Sequence, residues 1–404
     1  MYNLHLTPEQ LEIRDTVRDF VANEIKPIAL KPERLEASYH PLLFEILDKA
    51  SQMGLRTLAL SEENGGIGAD ALTSCIVSEE LAVGEIDVAA VLAETSRLAH
   101  SLFDRLMTPA QRTRFLPQFL ADDRYHLAFA DHEPGTDNQL GANYHRPSTS
   151  DSHFTTEAVQ DENGNWIISG AKDSVRNAPV AKLFLVPVKL LDQPNSQKTG
   201  ALLVAHNSPG LTVRERPHPR RSLHGAFGDL IFTSCPVPPD NFIKIDDEAV
   251  FQIDRPQDPA LALGVGRAAY EAALDYARLR IQGGRPIIEH QAIAIKLAEI
   301  AINLEVTRSA IWQAAYASDH PNAISDRSLP NLPLSTITKV FSSEVVYRAT
   351  KDAAEIFGAM GVMRDMPLQK YIHDALVSLH SDRGNSDAKL QIAEALAGYQ
   401  RPQL

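Results

Sequence analysis

The sequence contains little cysteine: Cys75 and Cys235 are its two cysteines, and they lie far apart. Two cysteines cannot form a disulfide framework or a cysteine-rich zinc site, so we expect no metal and a reducing, cytoplasmic environment. No apolar stretch approaches the roughly 20 residues that cross a bilayer, so we expect no membrane partner. The N-terminus also lacks a positive segment followed by an apolar run, and we therefore expect no signal peptide.

Positive charge is scarce as well. Lysine and arginine together number 39 against 52 acidic residues, which gives a net charge of −13 at pH 7. A nucleic-acid partner needs a basic face that neutralises phosphates, so we expect none. A small polyphosphate ligand in a local basic pocket remains compatible with this charge. The 404 residues, 44% of them hydrophobic, suffice for a large core in two or three structural units.

Hydrophobic periodicity divides the chain into three regions. Residues 1–125 predict helices, with capping boxes that begin at Thr7 and Thr108. Residues 126–245 contain short β-prone runs between turn residues and predict a small all-β unit. Residues 246–404 return to long helical patterns, which are typical of an antiparallel bundle.

The predicted elements of the second and third regions are short strands and long helices. The predicted strands are Phe154–Val159, Trp166–Ser169, Leu183–Val188, Ala201–Ala205, Leu211–Arg214 and Leu230–Phe232. The predicted helices are Asp254–Gln282, Glu289–Ser318, Leu334–Phe357 and Leu368–Leu379.

A basic turn separates the first two bundle helices. Gly283 and Gly284 end the first helix, and Pro286 prevents it from resuming. Three arginines surround this break: Arg278, Arg280 and Arg285. Guanidinium groups offer forked donors to phosphate oxygens, so the turn suits a pyrophosphate group. A solvated helix corner whose basic residues complement the helix dipole explains the same residues, and both interpretations stay open.

The segment that contains this turn resembles a known family signature. Tyr276 to Gln291, YARLRIQGGRPIIEHQ, is similar to the acyl-CoA dehydrogenase pattern Y-A-x-x-R-x-x-F-G-R-P-I-x-x-x-Q. Gly283 stands where the family has Phe. The resemblance implies that FAD is the cofactor, that it is held across a subunit interface, and that Arg280 and Gln291 contact it.

The same resemblance implies a fold. It is the α+β fold of the acyl-CoA dehydrogenases: an N-terminal all-α domain at 1–125, a middle β-barrel or sandwich domain at 126–245, and a C-terminal four-helix bundle at 246–404. The α–β–α order of the predicted elements agrees with this arrangement.

A loop at the start of the middle region carries a further match. Glu133-Pro134-Gly135 resembles part of the family's T-E-P-G-A-G-S-D loop, which passes over the flavin and the acyl thioester. The resemblance places His132 at a Thr that contacts the flavin, and Thr136 at a Ser that holds the substrate. Without the resemblance, Glu-Pro-Gly predicts a turn and no more.

A strand of the middle region departs from the family at two positions. Ser169–Ala178 resembles the segment N-G-x-K-x-W-I-T-N-A, whose Trp and Thr contact the flavin ring. Ser174 and Arg176 stand at those positions, so a flat hydrophobic wall is lost and a cation is gained. Arg176 either favours the anionic reduced flavin or forms a salt bridge elsewhere, and the sequence leaves both open.

The last cofactor match lies in the bundle. Glu355–Gly361 resembles Q-x-x-G-G-x-G, which contacts the adenosine half of FAD, and Phe357 and Gly358 are assigned to that contact. Glu355 replaces a neutral Gln beside an anionic cofactor. Two like charges about 4 Å apart repel by about 4 kcal/mol at an effective dielectric of about 20. We therefore expect Glu355 to pair with a cation, and Arg364 is near in sequence.

The family's catalytic Glu, in Y-E-G-T, has no direct counterpart. Tyr371–Ala375 resembles the preceding x-x-R-D-A, and counting forward without gaps places Asp382 on the Glu. Counting back from a later match places Gly384 or Asn385 there, and Asn385 is assigned to the cofactor site. A base needs a carboxylate within reach of the substrate's α-proton, so Asp382 is the predicted base.

A second candidate base precedes the first bundle helix. Phe251–Pro256 resembles F-D-x-x-R-P, and Arg255 matches an Arg near the acyl-CoA. Asp254 stands where some branched-chain members carry their catalytic Glu. An acid favoured by the helix dipole explains the same residue.

These resemblances imply α,β-desaturation of an acyl-CoA thioester, an electron-transfer acceptor, and a homodimer or homotetramer. One alternative is a heteromer with another family member, in which this chain is a non-catalytic or half-site subunit. Another is a flavin-dependent monooxygenase or reductase on the same fold, which needs no base for the α-proton. No residue pattern identifies the acyl group.

Overall fold

The computed structural model describes residues 5–35, 41–134, 154–191, 199–215, 224–244, 256–320, 333–381 and 384–397. Four predicted site residues lie outside these ranges: Thr136, Asp254, Arg255 and Asp382. No helix in the described ranges is both long and apolar enough to cross a bilayer.

The N-terminal region is helical, as predicted. Its helices are α1 (Pro8–Phe20), α2 (Lys26–Ala29), α3 (Phe44–Gln52), α4 (Ala71–Gly84), α5 (Ile86–Ala99) and α6 (Pro109–Ala121). The capping boxes at Thr7 and Thr108 are confirmed. Each threonine Oγ1 accepts from the backbone N–H of the glutamine three residues later, and the side-chain oxygen of that glutamine accepts from the threonine N–H. Glu85 is extended, and it therefore separates α4 from α5.

The middle region forms one sheet. Its strands are β1 (His126–Phe129), β2 (Glu157–Gln160), β3 (Trp166–Arg176), β4 (Ala181–Leu190), β5 (Thr199–Ala205), β6 (Leu211–Glu215), β7 (Phe227–Val237) and β8 (Phe242–Ile243). The strand order is β6-β7-β3-β2-β4-β5-β8, and β1 pairs in parallel with β4. Strand β3 runs past the predicted Trp166–Ser169 because two register shifts against β7 let it continue to Arg176.

The C-terminal region is a helical bundle. Its helices are α7 (Gln257–Leu279), α8 (Gln291–Asp319), α9 (Leu334–Phe357), α10 (Leu368–His380) and α11 (Gly384–Ala397). Between α7 and α8 the chain forms a hairpin of β9 (Ile281–Gln282) and β10 (Arg285–Pro286). Gly283 and Gly284 have φ of +62° and +82°, which glycine adopts without strain. The predicted α+β arrangement, with helical ends and a central sheet, is confirmed.

The N-terminal helices and the bundle share one core. At Gly264, an added Cβ would lie 2.5 Å from the Glu79 carbonyl oxygen, so α4 and α7 touch along their backbones. Buried charges surround this contact: Arg267 Nη1 and Arg308 Nη2 lie 2.7 and 2.8 Å from Glu79 Oε1. The bundle is therefore fixed against the N-terminal helices by both shape and charge.

Apolar side chains remain exposed at the bend and along α8. Leu279 is 81% exposed, and the others are Ile281, Ile295, Ile302 and Val306. Ile295, Ile302 and Val306 are seven and four residues apart, so they share one face of α8, and an exposed apolar face is typical of a surface that another chain covers.

Candidate active site

The predicted loop at Glu133 is anchored by a buried ion pair. Lys172 of β3 places its Nζ 2.7 Å from Glu133 Oε1, and both side chains are at most 1% exposed. Glu133 also accepts from Thr155 Oγ1 at 2.6 Å and from Thr156 N at 3.1 Å. Burial raises the pKa of Glu133, but the Lys172 ammonium and these hydrogen bonds outweigh burial and lower the pKa to about 2. Glu133 is therefore ionised and fastens the loop to the sheet.

Strand β3 is distorted at Ser174, one of the predicted flavin contacts. Ser174 has φ of +52°, and its N–H donates to Asp229 Oδ1 at 3.2 Å. The neighbouring Asp173 N–H donates to the His132 carbonyl at 3.0 Å. The structure therefore brings the backbone at His132 to Asp173, the residue before Ser174.

Arg176 forms a salt bridge with a residue that sequence reasoning missed. Its Nη2 and Nη1 lie 3.1 and 3.3 Å from the two carboxylate oxygens of Asp258. Asp258 lies in the first turn of α7, where a negative charge is favoured by the helix dipole. Of the two alternatives for Arg176, the structure contains the salt bridge. Nothing in the spacing of the two residues pointed to it.

This salt bridge forms part of the wall of a cavity between the sheet and the bundle. The cavity has a volume of about 20 Å³, room for one or two water molecules, and it opens to solvent. We call it the polar cavity. It is lined by Arg176, His224, Asp258, Pro259, Leu261, Ala262, Lys339, Ser342, Ser343, Ser378 and Ser381.

Two residues that line the polar cavity are close in sequence to the candidate bases. Ser381 lines it and directly precedes Asp382, and Asp258 lines it four residues after Asp254. Asn385 also belongs to this region, because its Oδ1 accepts from Lys339 Nζ at 2.8 Å. Sequence reasoning singled out Arg176 and Asn385 but missed the lysine, the histidine and the serines, which lie on elements distant in sequence.

His224 also lines the polar cavity. Its Nε2 lies 3.0 Å from Ser378 Oγ, and its Nδ1 lies 4.0 Å from Asp87 Oδ1. Asp87 also accepts from the Gly225 N–H at 2.9 Å. The imidazole is thus held between α5 and α10.

A second buried ion pair holds α10 in place. Lys370 Nζ lies 2.8 Å from Asp374 Oδ2 and 3.3 Å from Glu85 Oε1, and all three side chains are buried. Burial lowers the pKa of Lys370, but the two carboxylates raise it by more, so the ammonium stays charged. Helix α10, which carries the cavity residue Ser378, is therefore bonded to Glu85, directly before α5.

The basic turn between α7 and α8, which we call the basic bend, is exposed in the single chain. Arg280, Arg285 and Gln291 are all exposed, and Arg285 Nη2 lies 3.5 Å from His290 Nδ1. Among the described residues, no carboxylate lies within 4.0 Å of Arg280 or Arg285, whereas Arg278 lies 3.7 Å from Asp275. Two guanidinium groups without a carboxylate partner, at the start of a long helix, fit the diphosphate of a dinucleotide.

The adenosine-matching segment packs against the helix that leads into the bend. The Phe357 ring is buried and stacks on Tyr276, with centroids 4.2 Å apart and planes 13° apart. Gly358 is exposed, with φ of +58°. The expectation that Glu355 pairs with a cation is confirmed: its partner is Lys296 of α8. Lys296 was missed because it lies 59 residues away in sequence.

Comparison with known proteins gives one family over most of the chain. Three family models match: the acyl-CoA dehydrogenase N-terminal domain at residues 7–123, the middle domain at 136–235 and the C-terminal domain at 247–396. An acyl-CoA dehydrogenase of Bacillus subtilis is 28% identical over 403 residues, covering 98% of this chain and 100% of that protein. The mitochondrial isobutyryl-CoA dehydrogenase of Dictyostelium discoideum is 26% identical, covering 96% of this chain and 88% of that protein.

Solved structures share the fold. Butyryl-CoA dehydrogenase from Megasphaera elsdenii matches with a TM-score of 0.82 and 24% identity, covering 98% of this chain and 100% of that chain. Glutaryl-CoA dehydrogenase from Mycobacterium smegmatis matches with a TM-score of 0.80 and 21% identity, covering 98% and 96%. The order of domains, the family models and the relatives agree: this chain belongs to the acyl-CoA dehydrogenase family, whose members are oxidoreductases that act on CH–CH bonds.

Proposed function

We propose that this protein is an FAD-dependent enzyme that introduces an α,β double bond into an acyl-CoA thioester. One observation carries the proposal. The residue before Asp382, the helix start after Asp254, and Arg176 at the end of β3 all meet at the polar cavity. Removal of an α-proton requires a carboxylate near the flavin, and both candidate carboxylates are close in sequence to residues that line this cavity.

The basic bend is the proposed site for the diphosphate of FAD. Arg280 and Gln291 would bind it, with Phe357 and Gly358 beside the adenosine half and His132, Ser174 and Asn385 nearer the ring. When bound, FAD supplies the acceptor for the hydride that leaves the β-carbon. A second copy of the chain would cover the exposed apolar face of α8, in a homodimer or homotetramer, and would close the bend from solvent.

Asp382 is the proposed base, and Asp254 is the second candidate. The base takes the α-proton as the β-hydride leaves, so two hydrogens depart and one double bond forms. Hydrogen-bond donors near the thioester oxygen stabilise the enolate that develops in this step. The substrate-holding roles of Thr136 and Arg255 follow from the resemblance and remain part of the proposal, together with an electron-transfer acceptor that reoxidises the flavin.

Anaerobic titration with acyl-CoA thioesters tests the proposal. We expect the purified protein to be yellow and a reactive acyl-CoA to bleach the flavin. Asp382→Asn should abolish bleaching, whereas Asp275→Asn, on the exposed surface of α7, should leave it unchanged. Unchanged bleaching in Asp382→Asn together with loss in Asp254→Asn would transfer the role to Asp254. A chain that binds flavin only with a second family member would instead establish the half-site alternative.

A further inference from the structure

Strand β3 contains a bulge where it passes β7. The register of the two strands shifts between Lys172 and Val175. The β7 partners of these residues are two positions apart, so two residues of β3, Asp173 and Ser174, lie opposite one residue of β7, Asp229. A bulge of this kind disrupts the regular hydrogen-bond ladder and turns the strand, and bulges are common beside active sites. The backbone amides of the two bulge residues therefore need partners outside the ladder.

Both amides have such partners. The Asp173 N–H donates to the His132 carbonyl at 3.0 Å. The Ser174 N–H donates to Asp229 Oδ1 at 3.2 Å. The first bond leads to the loop that Glu133 anchors, and the second leads to the strand on the opposite side. The bulge is therefore held from two directions, by the loop and by the side chain of Asp229.

Ser174 adopts a backbone conformation that favours glycine. Its φ is +52°, where the Cβ of an L-residue is crowded by its own backbone. Such a conformation persists where the surrounding structure imposes it. The Asp229 side chain is 6% exposed, so little water competes for the Ser174 N–H, and a carboxylate accepts more strongly than a neutral oxygen. Without this acceptor, Ser174 would relax towards an extended conformation.

Asp229 is itself held by β6. Arg214 pairs with Asp229 across the two strands, and Arg214 Nη2 donates to Asp229 Oδ2 at 2.8 Å. The strands approach closely beside this pair, because a Cβ added at Gly228 would lie 2.6 Å from the Arg214 carbonyl oxygen. One carboxylate oxygen thus binds the arginine and the other binds the Ser174 N–H. Three adjacent strands direct this carboxylate at the bulge.

We propose that Asp229 is a positioning residue for the flavin. It would hold the bulge so that Asp173 stays bonded to the loop at His132 while Ser174 faces the ring. This inference rests on the proposed function, because His132 and Ser174 are flavin contacts in that proposal. Asp229 would act through Ser174, without touching the flavin and without a part in proton transfer.

Visible circular dichroism of the bound flavin tests the inference, because this signal reports how the ring is held. Asp229→Leu removes the acceptor, and we expect an altered flavin spectrum and an affinity for FAD about 10-fold weaker, which corresponds to one good hydrogen bond. Asp229→Asn keeps an oxygen that accepts from the Ser174 N–H and should retain the native spectrum. Hydrogen exchange in the flavin-free chain should become faster at Asp173 and Ser174 in Asp229→Leu, but not in Asp229→Asn.

Two further variants separate the backbone bond from other effects of Asp229. Arg214→Met is the matched control, because it removes the ion pair of Asp229 but leaves the bond to the Ser174 N–H, so the flavin spectrum should stay native. Ser174→Gly adopts a positive φ without strain, so Asp229→Leu should weaken FAD binding less in that background than in the native chain. If Asp229→Leu does not fold, Asp229→Ala replaces it in the same two backgrounds.

The outcomes separate this inference from the proposed function. A native flavin spectrum and affinity in Asp229→Leu, an equal change in Arg214→Met, or equal losses in both backgrounds overturns the positioning role. Any of these leaves the desaturase intact when an acyl-CoA bleaches the flavin. A bound flavin that no acyl-CoA bleaches overturns the desaturase, while circular dichroism still decides the role of Asp229. A native chain that takes up no FAD overturns both.

Discussion

The carboxylate of Asp258 lies 3.1 Å from Nη2 of Arg176, so the first turn of α7 is bonded to the last residue of β3. This pair joins the sheet to the bundle across the polar cavity. It also changes the character of a position that the family fills with a neutral Thr. An ion pair here gives the cavity a rigid, polar wall.

Removing one residue of this ion pair should lower the free energy of unfolding more than removing both. Asp258→Leu removes one carboxylate from the buried Arg176 guanidinium, and we expect a loss of about 2 kcal/mol in the free energy of unfolding. The double variant Arg176→Leu/Asp258→Leu should recover part of that loss. Denaturant unfolding of both variants checks the prediction, and losses that simply add would contradict it.

Ionisation of Glu133 should make the free energy of unfolding depend on pH. Its pKa in the folded protein is about 2, below the ordinary value of 4.5. A lowered folded pKa contributes stability above the unfolded pKa, and this contribution disappears as pH falls from about 5 towards 2. Glu133→Gln should therefore be about 3 kcal/mol less stable than the native chain at pH 7, with the gap narrowing below pH 5.

The measurement for Glu133 is denaturant unfolding at a series of pH values. Glu162→Gln, in the exposed turn between β2 and β3, is the control and should follow the native curve. A difference between Glu133→Gln and the native chain that stays constant from pH 7 to pH 3 would show that the carboxylate contributes through its shape and not its charge.

Gly264 should tolerate no larger residue. In Gly264→Ala the new methyl carbon would lie 2.5 Å from the Glu79 carbonyl oxygen and 2.7 Å from Ala82 Cβ. We expect α4 and α7 to move apart, with a loss of about 2 kcal/mol in stability. Thermal unfolding measures it. Asp275→Ala, exposed on the same helix, should change stability by less than about 0.5 kcal/mol, and an equal effect of the two would contradict the close contact.

The basic bend should control flavin retention and not folding. Arg280→Met removes an exposed guanidinium without a carboxylate partner among the described residues, so stability of the flavin-free chain should hold. The flavin content after gel filtration should fall, with affinity weakened by about 10-fold or more, because a charge-assisted bond to phosphate is lost. Arg278→Met, whose side chain is near Asp275, should keep its flavin; equal loss in both variants would mean that net charge alone matters.

Local signals predicted the elements well. Helix α9 has the predicted bounds Leu334–Phe357, because Pro333 precedes it and Gly358 takes a positive φ directly after it. The capping boxes and the glycine-containing bend were likewise visible in short stretches of sequence. In each case the physical cause lies within a few residues of its effect.

The site was predicted less completely, because its contacts join distant segments. Asp258 is 82 residues from Arg176, and Lys339 is 46 residues from Asn385. The bulge at Ser174 was hidden as well, because a positive φ at serine follows from the packing of β3 on β7.

The ion pairs of Lys370 restrict the movement of α10, which forms part of the wall of the polar cavity. Helix α10 carries Ser378, and the Lys370 ammonium anchors that helix to Glu85, directly before α5. Helix α10 cannot shift to admit a larger ligand unless two buried charges separate in a medium of low dielectric. The buried ion pairs therefore hold α10, and Ser378 with it, in a fixed position against the start of α5.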